Sequence, residues 1–457
     1  MIDGVRMTYF ARILAITGLL LLPFQSAQAL AEKASVKVIY AGWLLAVPGK
    51  PPLKDQTVVV RGGHIVAIRG GRVPAADIDP SADVVDLSDR FVMPGLSDVH
   101  YHITMGEMSD RRSATPIARI AALSLASASQ ATALLMAGIT TIRDVGDESN
   151  AISFQLRDAI ARGEIAGPRI FAAGRIISRT QGHGAETRSA LQFLMPVELG
   201  GCDGVESCRR AVRENIGDGS WADLIKFTGS GSSSEPWGTS GAVPTSFDDE
   251  VDAIVGAAGQ LGRKVAVHAH SAASINQALR AGAFTIEHGT YFDAESAKLF
   301  KLHNAYMVPT SYIGEFLLSD PRIRARNTPE DWRRIEVSAV DQQQVAGRAW
   351  RAGIKLGVGT DSGFESDPSN TAREIELFVK DGIPTADALA AATTNNAAIV
   401  GHSNDMGQIA IGYVADIIAM PGNPLVDPSV LHNVSFVMKD GQIFRNAVAA
   451  ADTQKVQ

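Results

Sequence analysis

The sequence predicts an α/β protein built as a (β/α)8 TIM barrel, with a small β-sandwich domain made from both ends of the chain. Two observations support this fold. Short apolar segments alternate with long helix-like segments through the middle of the sequence, and β-rich segments with glycine turns occupy both ends. The chain has 457 residues, of which 46% are hydrophobic. That is enough for one large core and a small second domain.

The two ends share the pattern of β-hairpins, in which β-branched runs are separated by glycine-containing turns. These runs lie at residues 36–41, 57–60, 64–68, 84–87, 415–420, 435–438 and 442–444. We therefore predict a composite β-sandwich from residues 30–93 and 406–457, with the barrel over residues 94–405.

The middle of the chain contains a series of strand-like segments. They lie at residues 91–96, 139–143, 169–173, 224–227, 264–267, 285–287, 306–309 and 355–358. Intervening segments such as 121–137 and 249–261 have the apolar spacing of crossover helices. This repetition is typical of a (β/α)8 barrel. A doubly wound open sheet is the alternative, but no G-x-G-x-x-G turn follows the first strand, which disfavours its dinucleotide-binding form.

The N-terminus has the pattern of an export signal. Arg6 and Arg12 lie beside an apolar stretch at 13–24, and Ala27-Gln28-Ala29 matches an A-x-A cleavage site. This stretch is too short to span a bilayer, which needs ~20 apolar residues. We predict that the signal, residues 1–29, is removed, and that the mature protein is periplasmic or secreted without a stable membrane anchor.

Export also affects the interpretation of the two cysteines. Cys202 and Cys208 are the only cysteines in the chain, and an oxidising compartment allows a disulfide to persist. We predict that they form a small surface staple. Two free thiols are the alternative, and a structural zinc site would need four ligands.

The charge balance disfavours a nucleic-acid partner. The chain carries 42 lysines and arginines against 49 aspartates and glutamates, which gives a formal net charge of −7. No basic run is present. Binding to a phosphate backbone depends on such basic side chains. A nucleic acid is therefore an unexpected partner for this chain.

Histidines gather where barrel active sites form. His100 and His102 follow the first predicted strand, His268 and His270 the fifth, and His288 the sixth. Residues two apart on a strand point the same way, so His100 and His102 can share a metal ion. Any one of these histidines alone fits a core or surface position. Several at one face of one barrel predict a metal site.

Other polar residues also lie at or just after the ends of predicted strands. Lys226 ends the fourth predicted strand, and Asp361 follows the eighth in the sequence GTDSG. Buried charges must be paired or bound to an ion, so we expect both to converge with the imidazoles. His183, in the sequence QGHG after the third strand, lies at the same face of the predicted barrel.

Taken in order, these motifs resemble those of the amidohydrolase superfamily. The resemblance is to its binuclear members, related to imidazolonepropionase, Xaa-Pro or Xaa-Arg dipeptidases and ochratoxin-type amidases. The matching segments are 94–102 (PGLSDVHYH), 225–227 (IKF), 268–270 (HAH), 286–289 (IEHG), 359–363 (GTDSG) and 412–417 (GYVADI). They extend over nearly the whole mature chain.

The resemblance implies a metal-dependent hydrolase that cleaves an amide bond with a hydroxide bridging two divalent ions. His100, His102 and Asp361 would hold the more buried ion, and His268 and His288 the more exposed one. Imidazole and carboxylate ligands favour zinc, although manganese, cobalt and iron also suit them. Asp361 would also be catalytic, taking the proton of the attacking water and passing it to the leaving amine.

Lys226 would be carboxylated by carbon dioxide, and the resulting N6-carboxylysine would bridge both ions. An ammonium there would be repelled by two cations. An ordinary salt-bridged lysine is the alternative.

Other reactions remain as alternatives on the same fold. A mononuclear deaminase or cyclic-amide hydrolase would not need Lys226, and a lactonase is a further alternative. A non-catalytic metal-binding barrel is disfavoured because every expected ligand position is filled.

The resemblance further implies a small peptide-like substrate ending in a free carboxylate, such as a dipeptide or an N-acyl amino acid. His183 and His270 are candidates to bind its carbonyl oxygen or carboxylate, with a packing role as the alternative. Tyr291, three residues past His288, is a candidate on the resemblance alone. Related hydrolases also lead us to expect a homo-oligomer.

Overall fold

The computed structural model describes residues 35–105, 116–146, 152–180, 182–183, 201–219, 221–231, 243–363 and 367–447. The predicted signal peptide, residues 1–29, lies outside the described residues. Within the described ranges, no helix is long and apolar enough to cross a membrane.

The β-strands supply both the small domain and the wall of the barrel. They are β1 (Val36–Leu44), β2 (Leu53–Arg61), β3 (His64–Gly70), β4 (Asp83–Pro94), β5 (Leu96–Tyr101), β6 (Ile139–Asp144), β7 (Arg169–Ala172), β8 (Ile176–Ile177), β9 (Ile225–Thr228), β10 (Val265–Ser271), β11 (Thr285–Tyr291), β12 (Tyr306–Val308), β13 (Lys355–Leu356), β14 (Ile417–Met420), β15 (Phe436–Lys439) and β16 (Gln442–Asn446).

The α-helices mostly follow barrel strands, as crossover helices do. They are α1 (Pro116–Met136), α2 (Ile152–Ala161), α3 (Val205–Ile216), α4 (Asp248–Gln260), α5 (Ala272–Ala281), α6 (Ala294–Leu302), α7 (Ser311–Ser319), α8 (Pro321–Arg326), α9 (Pro329–Gln343), α10 (Val345–Arg351), α11 (Asn370–Lys380), α12 (Thr385–Ala390) and α13 (Asn396–Ile399).

The two ends of the chain meet in one β-sheet, with the strand order β16-β15-β14-β4-β1-β2-β3 in the described residues. β14 runs antiparallel to β4, with Ile417 opposite Pro94. The sheet curls, because Val60 near one edge and Phe436 near the other belong to the same buried cluster. The backbone N–H of Ile65 also donates to the carbonyl of Tyr413. The predicted β domain from both termini is confirmed.

The remaining strands form two parallel groups, β5-β6-β7 and β8-β9-β10-β11-β12-β13. β7 and β8 are two parts of one barrel strand, since only residues 173–175 separate them. At the other junction, Val99 of β5 donates to the carbonyl of Val358, and Asp361 donates to that of His100. The strands therefore run round a ring, and the predicted (β/α)8 barrel is confirmed.

Cys202 and Cys208 form a disulfide, as predicted. The predicted surface position is wrong, because both cysteines are buried in the main core cluster. Cys208 lies on α3 four and eight residues before Val212 and Ile216, and all three face the core. Residues four apart share one face of a helix. The spacing of Cys208 with these two apolar residues could therefore have predicted that its side chain is buried.

An ion-pair network joins the barrel to the small domain. Arg169, at the start of β7, lies 2.8 Å from the Asp416 carboxylate and also contacts Asp440. The backbone N–H of Asp440 donates to the Asp416 side chain at 2.8 Å. Asp416 is buried, and these partners stabilise its carboxylate in the protein interior.

We predict that Arg169→Met lowers the free energy of unfolding by roughly 2–3 kcal/mol, because it leaves a buried carboxylate without its cation. Urea denaturation measures this. Arg162→Met is the matched control, because Arg162 pairs with Glu164 on the exposed surface, where solvent screens the pair, and its loss should leave the free energy of unfolding nearly unchanged. Equal effects of the two substitutions would contradict the structural role of Arg169.

Candidate metal centre

The carboxyl ends of the barrel strands bring the predicted ligands together. β10 lies between β9 and β11, with Ala266 paired with Lys226 and Ala269 paired with His288. His100 near the end of β5 and Asp361 beyond β13 meet because their backbones are hydrogen-bonded. One face of the barrel therefore carries both the imidazoles and the charged side chains, as the sequence predicts.

The first cluster consists of His100, His102 and Asp361, whose ligand atoms all lie within 4.8 Å of one another. The Nε2 atoms of His100 and His102 lie 3.3 Å and 3.1 Å from the same carboxylate oxygen of Asp361. The Lys226 amine, also buried, lies 3.4 Å from Nε2 of His100.

The second cluster consists of His268, His270 and His288, again with ligand atoms within 4.8 Å. The rings of His268 and His288 are 4.5 Å apart, and those of His270 and His288 are stacked at 4.9 Å. The two clusters adjoin, because the His100 and His288 rings lie 5.0 Å apart. Sequence reasoning placed His268 and His288 here as ligands but assigned the adjacent His270 to the substrate.

The donor set fits divalent metal ions. Imidazole nitrogens and carboxylate oxygens are ligands for zinc and similar ions. Nε2 of His268 is buried and has no hydrogen-bond partner among the described residues. A buried polar atom without a partner is unfavourable, and a metal ion is the partner that the surrounding donors suit.

A buried ion pair contacts the first cluster through His100. Glu287 accepts a hydrogen bond from Nδ1 of His100 and lies 2.8 Å from the Arg143 guanidinium. Burial alone would raise the pKa of Glu287, but Arg143 and His100 outweigh it and lower the pKa to about 2. An ionised carboxylate only accepts. Nδ1 of His100 therefore carries the proton, and in the neutral imidazole Nε2 presents a lone pair.

Lys226, which is buried, and Asp361, which is partly buried, both have shifted pKa values. Burial lowers the pKa of Lys226 to about 8, although Glu287 and Asp361 oppose that shift. Burial would raise the pKa of Asp361, but the neighbouring His100 and His102 hold it well below its ordinary value. Asp361 is therefore a carboxylate at neutral pH.

Backbone geometry at the strand ends is unusual. His288, Thr310 and Asp361 have φ angles of 69°, 54° and 60°, a left-handed conformation that non-glycine residues rarely adopt. Each is held by a hydrogen bond, such as the 2.7 Å contact between Nδ1 of His288 and the Thr310 hydroxyl. Gly363 is required, because a Cβ there would lie 2.1 Å from the carbonyl oxygen of His102.

The remaining predicted residues lie around the second cluster. The His183 ring is 4.8 Å from that of His268, and burial, followed by nearby Lys226, lowers the pKa of His183 to about 4. Tyr291 ends β11 beside Asp341 of α9, and burial together with Asp341 raises its pKa. Both stay predicted substrate-binding residues.

Sequence reasoning missed the residues that support the ligands. Arg143 and Glu287 are charged residues at strand ends, so the rule that found Lys226 could have found them. Thr290, Thr310 and Gln342 hold His270 and His288, but none of the three belongs to a recognisable motif.

The sequence and the fold of this chain are similar to those of known proteins. Residues 91–444 match the sequence profile of the amidohydrolase family. An ochratoxinase from Aspergillus niger is 30% identical over 438 residues, which cover 91% of this chain and 88% of the relative. A crystal structure of a Xaa-Pro dipeptidase with methionine bound in its active site has a TM-score of 0.81 at 33% identity, covering 90% of this chain and 100% of the other. A crystal structure of a prolidase in complex with N-methylphosphonate-L-proline has a TM-score of 0.78 at 28% identity. The match covers 90% of this chain and 100% of the prolidase chain.

We predict that Glu287→Gln lowers the free energy of unfolding of metal-free protein by about 3–5 kcal/mol at pH 7, because Arg143 is left buried without a carboxylate. The folded-state pKa of about 2 lies below the ordinary 4.5. This contribution is therefore present above pH 4.5 and is lost as the pH falls toward 2. Urea denaturation at pH 7 and pH 3 measures both effects.

Glu295→Gln is the matched control. Glu295 lies on the exposed face of α6 and contacts Arg280 at 3.6 Å, so its substitution should change stability by less than about 1 kcal/mol. If Glu287→Gln and the control lose the same stability at pH 7, the buried pair does not have the proposed importance.

Proposed function

Because the chain belongs to the amidohydrolase family of C–N bond hydrolases, we propose that it cleaves the amide bond between an acyl group and an amino acid with a free carboxylate. Dipeptides and N-acyl amino acids are the substrate class. The observation that carries the proposal is the pair of adjoining ligand clusters with the Lys226 amine beside them. The similar proteins are, by name, an ochratoxinase, a Xaa-Pro dipeptidase and a prolidase.

The phosphonate complex of the similar prolidase supports the substrate class. Its ligand joins a tetrahedral phosphonate to proline, and a tetrahedral centre at that position is what attack on an acyl-proline amide would create. Ligands that imitate such a centre bind tightly when the site is complementary to the transition state. The same arrangement in this chain would accept an acyl group attached to an amino acid.

We assign two divalent ions to the two clusters, with zinc as the favoured metal. His100, His102 and Asp361 would hold one ion, and His268 and His288 the other. Lys226 lies beside His100, where an ammonium would be repelled by two cations. Reaction of its neutral amine with carbon dioxide gives a carbamate and releases one proton. This N6-carboxylysine is an anion that can bridge both ions.

The ions, when bound, would supply an activated water at neutral pH and polarise the scissile carbonyl. Asp361 then acts as the general base and acid. Its carboxylate accepts the proton of the attacking water and delivers it to the nitrogen of the departing amino acid. His183, next to His268 at the same barrel face, is positioned to contact the substrate, and Tyr291 is a further candidate.

Metal analysis together with a substrate panel tests the proposed function. We expect two ions per chain and metal-dependent hydrolysis of dipeptides and N-acyl amino acids. The matching C-terminal amides should react at least ~10²-fold more slowly in kcat/KM, because a site built for a carboxylate rejects analogues that lack it. A content of one ion per chain would contradict the proposed binuclear amidase function. The same holds if no substrate is cleaved after the protein is reloaded with metal in bicarbonate.

Two substitutions separate the assigned roles. Asp361→Asn should keep the metal, since an amide oxygen can still ligate, but lower kcat by about 10²–10⁴-fold because the proton acceptor is lost. Lys226→Ala should reduce the metal content to one ion per chain. His64→Ala is the control, because His64 is exposed on β3 in the small domain, and it should leave turnover near wild type. Unchanged turnover in Asp361→Asn would refute its assigned role.

A further inference from the structure

Gln342 lies behind the second cluster, on the last turn of α9, and its side chain is buried. Its amide nitrogen donates to the carbonyl of Pro309 and, at 3.2 Å, to the Thr310 hydroxyl. Its amide oxygen accepts a hydrogen bond from the Thr290 hydroxyl. One side-chain amide therefore reaches two threonines, one just past β12 and one on β11.

Each of these threonines holds a histidine of the cluster. Nδ1 of His270 lies 2.8 Å from the Thr290 hydroxyl, and Nδ1 of His288 lies 2.7 Å from the Thr310 hydroxyl. The two imidazole rings are stacked with an angle of 8° between their planes. Gln342 is thus connected, through the two threonines, to the Nδ1 atoms of both imidazoles.

The direction of these hydrogen bonds follows from one carbonyl. The Pro309 oxygen can only accept, so the amide nitrogen of Gln342 must face it and the amide oxygen must face Thr290. The Thr290 hydroxyl has one hydrogen, which it donates to that oxygen. Toward His270 it can then only accept. Nδ1 of His270 must therefore carry a proton, and in a neutral imidazole this leaves a lone pair on Nε2.

We propose that Gln342 is a positioning residue for the metal centre, and that through it His270 presents Nε2 as a third imidazole ligand to the ion held by His268 and His288. Each of the three histidines offers one ring nitrogen, and these nitrogens lie within 4.8 Å of one another. A neutral His270 in this tautomer cannot donate a hydrogen bond to a substrate carbonyl or carboxylate. The metal role therefore replaces the substrate role that the sequence suggested for His270.

The tautomer can be measured without any metal. In metal-free protein with nitrogen-15 labelled histidine, NMR distinguishes a protonated from an unprotonated Nε2, and the His270 signals are assigned by their loss in His270→Asn. Wild type should show His270 protonated at Nδ1 only. In Gln342→Leu the Thr290 hydroxyl is free to donate, so the population should shift toward protonated Nε2. An unchanged tautomer in Gln342→Leu would overturn the proposal.

Matched variants separate this role from a general effect on folding. Gln344→Leu changes an exposed glutamine at the end of the same helix and should leave the tautomer as in wild type. Thr290→Val removes the intermediate hydroxyl and should remove the tautomer preference, whereas Thr290→Ser should retain it. If Gln342→Leu does not fold, the comparison of Thr290→Val with Thr290→Ser tests the proposal instead. Equal His270 spectra in these two variants would overturn it.

Chelator competition then tests the ligand role, which rests on the proposed two-metal function. Loss of a group that orients a ligand typically weakens metal binding 10–100-fold. We expect about this loss for one ion in Gln342→Leu, with the other ion unaffected. Equal weakening of both ions would overturn the assignment to the second cluster. If wild type shows the expected tautomer but binds no metal, the proposed function and the ligand role fail, whereas the control of His270 by Gln342 is supported.

Discussion

The contact between Arg143 and Glu287 is the interaction on which the barrel mouth depends. Several imidazoles and the Lys226 amine lie close together in the barrel interior and are buried, and uncompensated buried charge is unfavourable. Glu287 supplies the buried negative charge that faces His100, and Arg143 keeps that carboxylate ionised. Arg143 also donates to the Val99 carbonyl and to the Thr285 hydroxyl, so it ties β6 to both β5 and β11. The same two side chains therefore provide charge balance and connect three strands of the barrel.

Hydrogen bonds from outside the strands hold the unusual backbone at the mouth. Left-handed residues are strained by about 1–3 kcal/mol each and persist where the surroundings fix them. Thr310 is fixed by hydrogen bonds with His288 and Gln342. The side-chain oxygens of Glu374 accept hydrogen bonds from the backbone N–H groups of Ser311 and Tyr312, which follow Thr310. The helices thus hold the positions of the ligands as well as covering the barrel.

The sequence predicts the features that depend on regular spacing. Short apolar strands with histidines near their carboxyl ends identify the barrel face, and the same rule finds Lys226 and Asp361. It does not find Gln342, because nothing in the local pattern of α9 indicates that this glutamine is hydrogen-bonded to threonines 32 and 52 residues away. The ligand role that we propose for His270 does not follow from the local sequence either. H-x-H spacing shows that two imidazoles share a face, but the nitrogen that carries the proton is determined by partners distant in sequence.

The curled sheet of the small domain also determines the order in which the chain can be completed. β4 is made early, but its partner β14 is paired through residues such as Ile417, more than 300 positions after Pro94. At about 5–20 residues per second, ribosomal synthesis of that interval takes on the order of tens of seconds. During this time β4 has an unpaired edge, which is a template for association with other chains. A chain truncated after the barrel would keep that edge permanently, and we expect it to aggregate rather than to persist as a shortened enzyme.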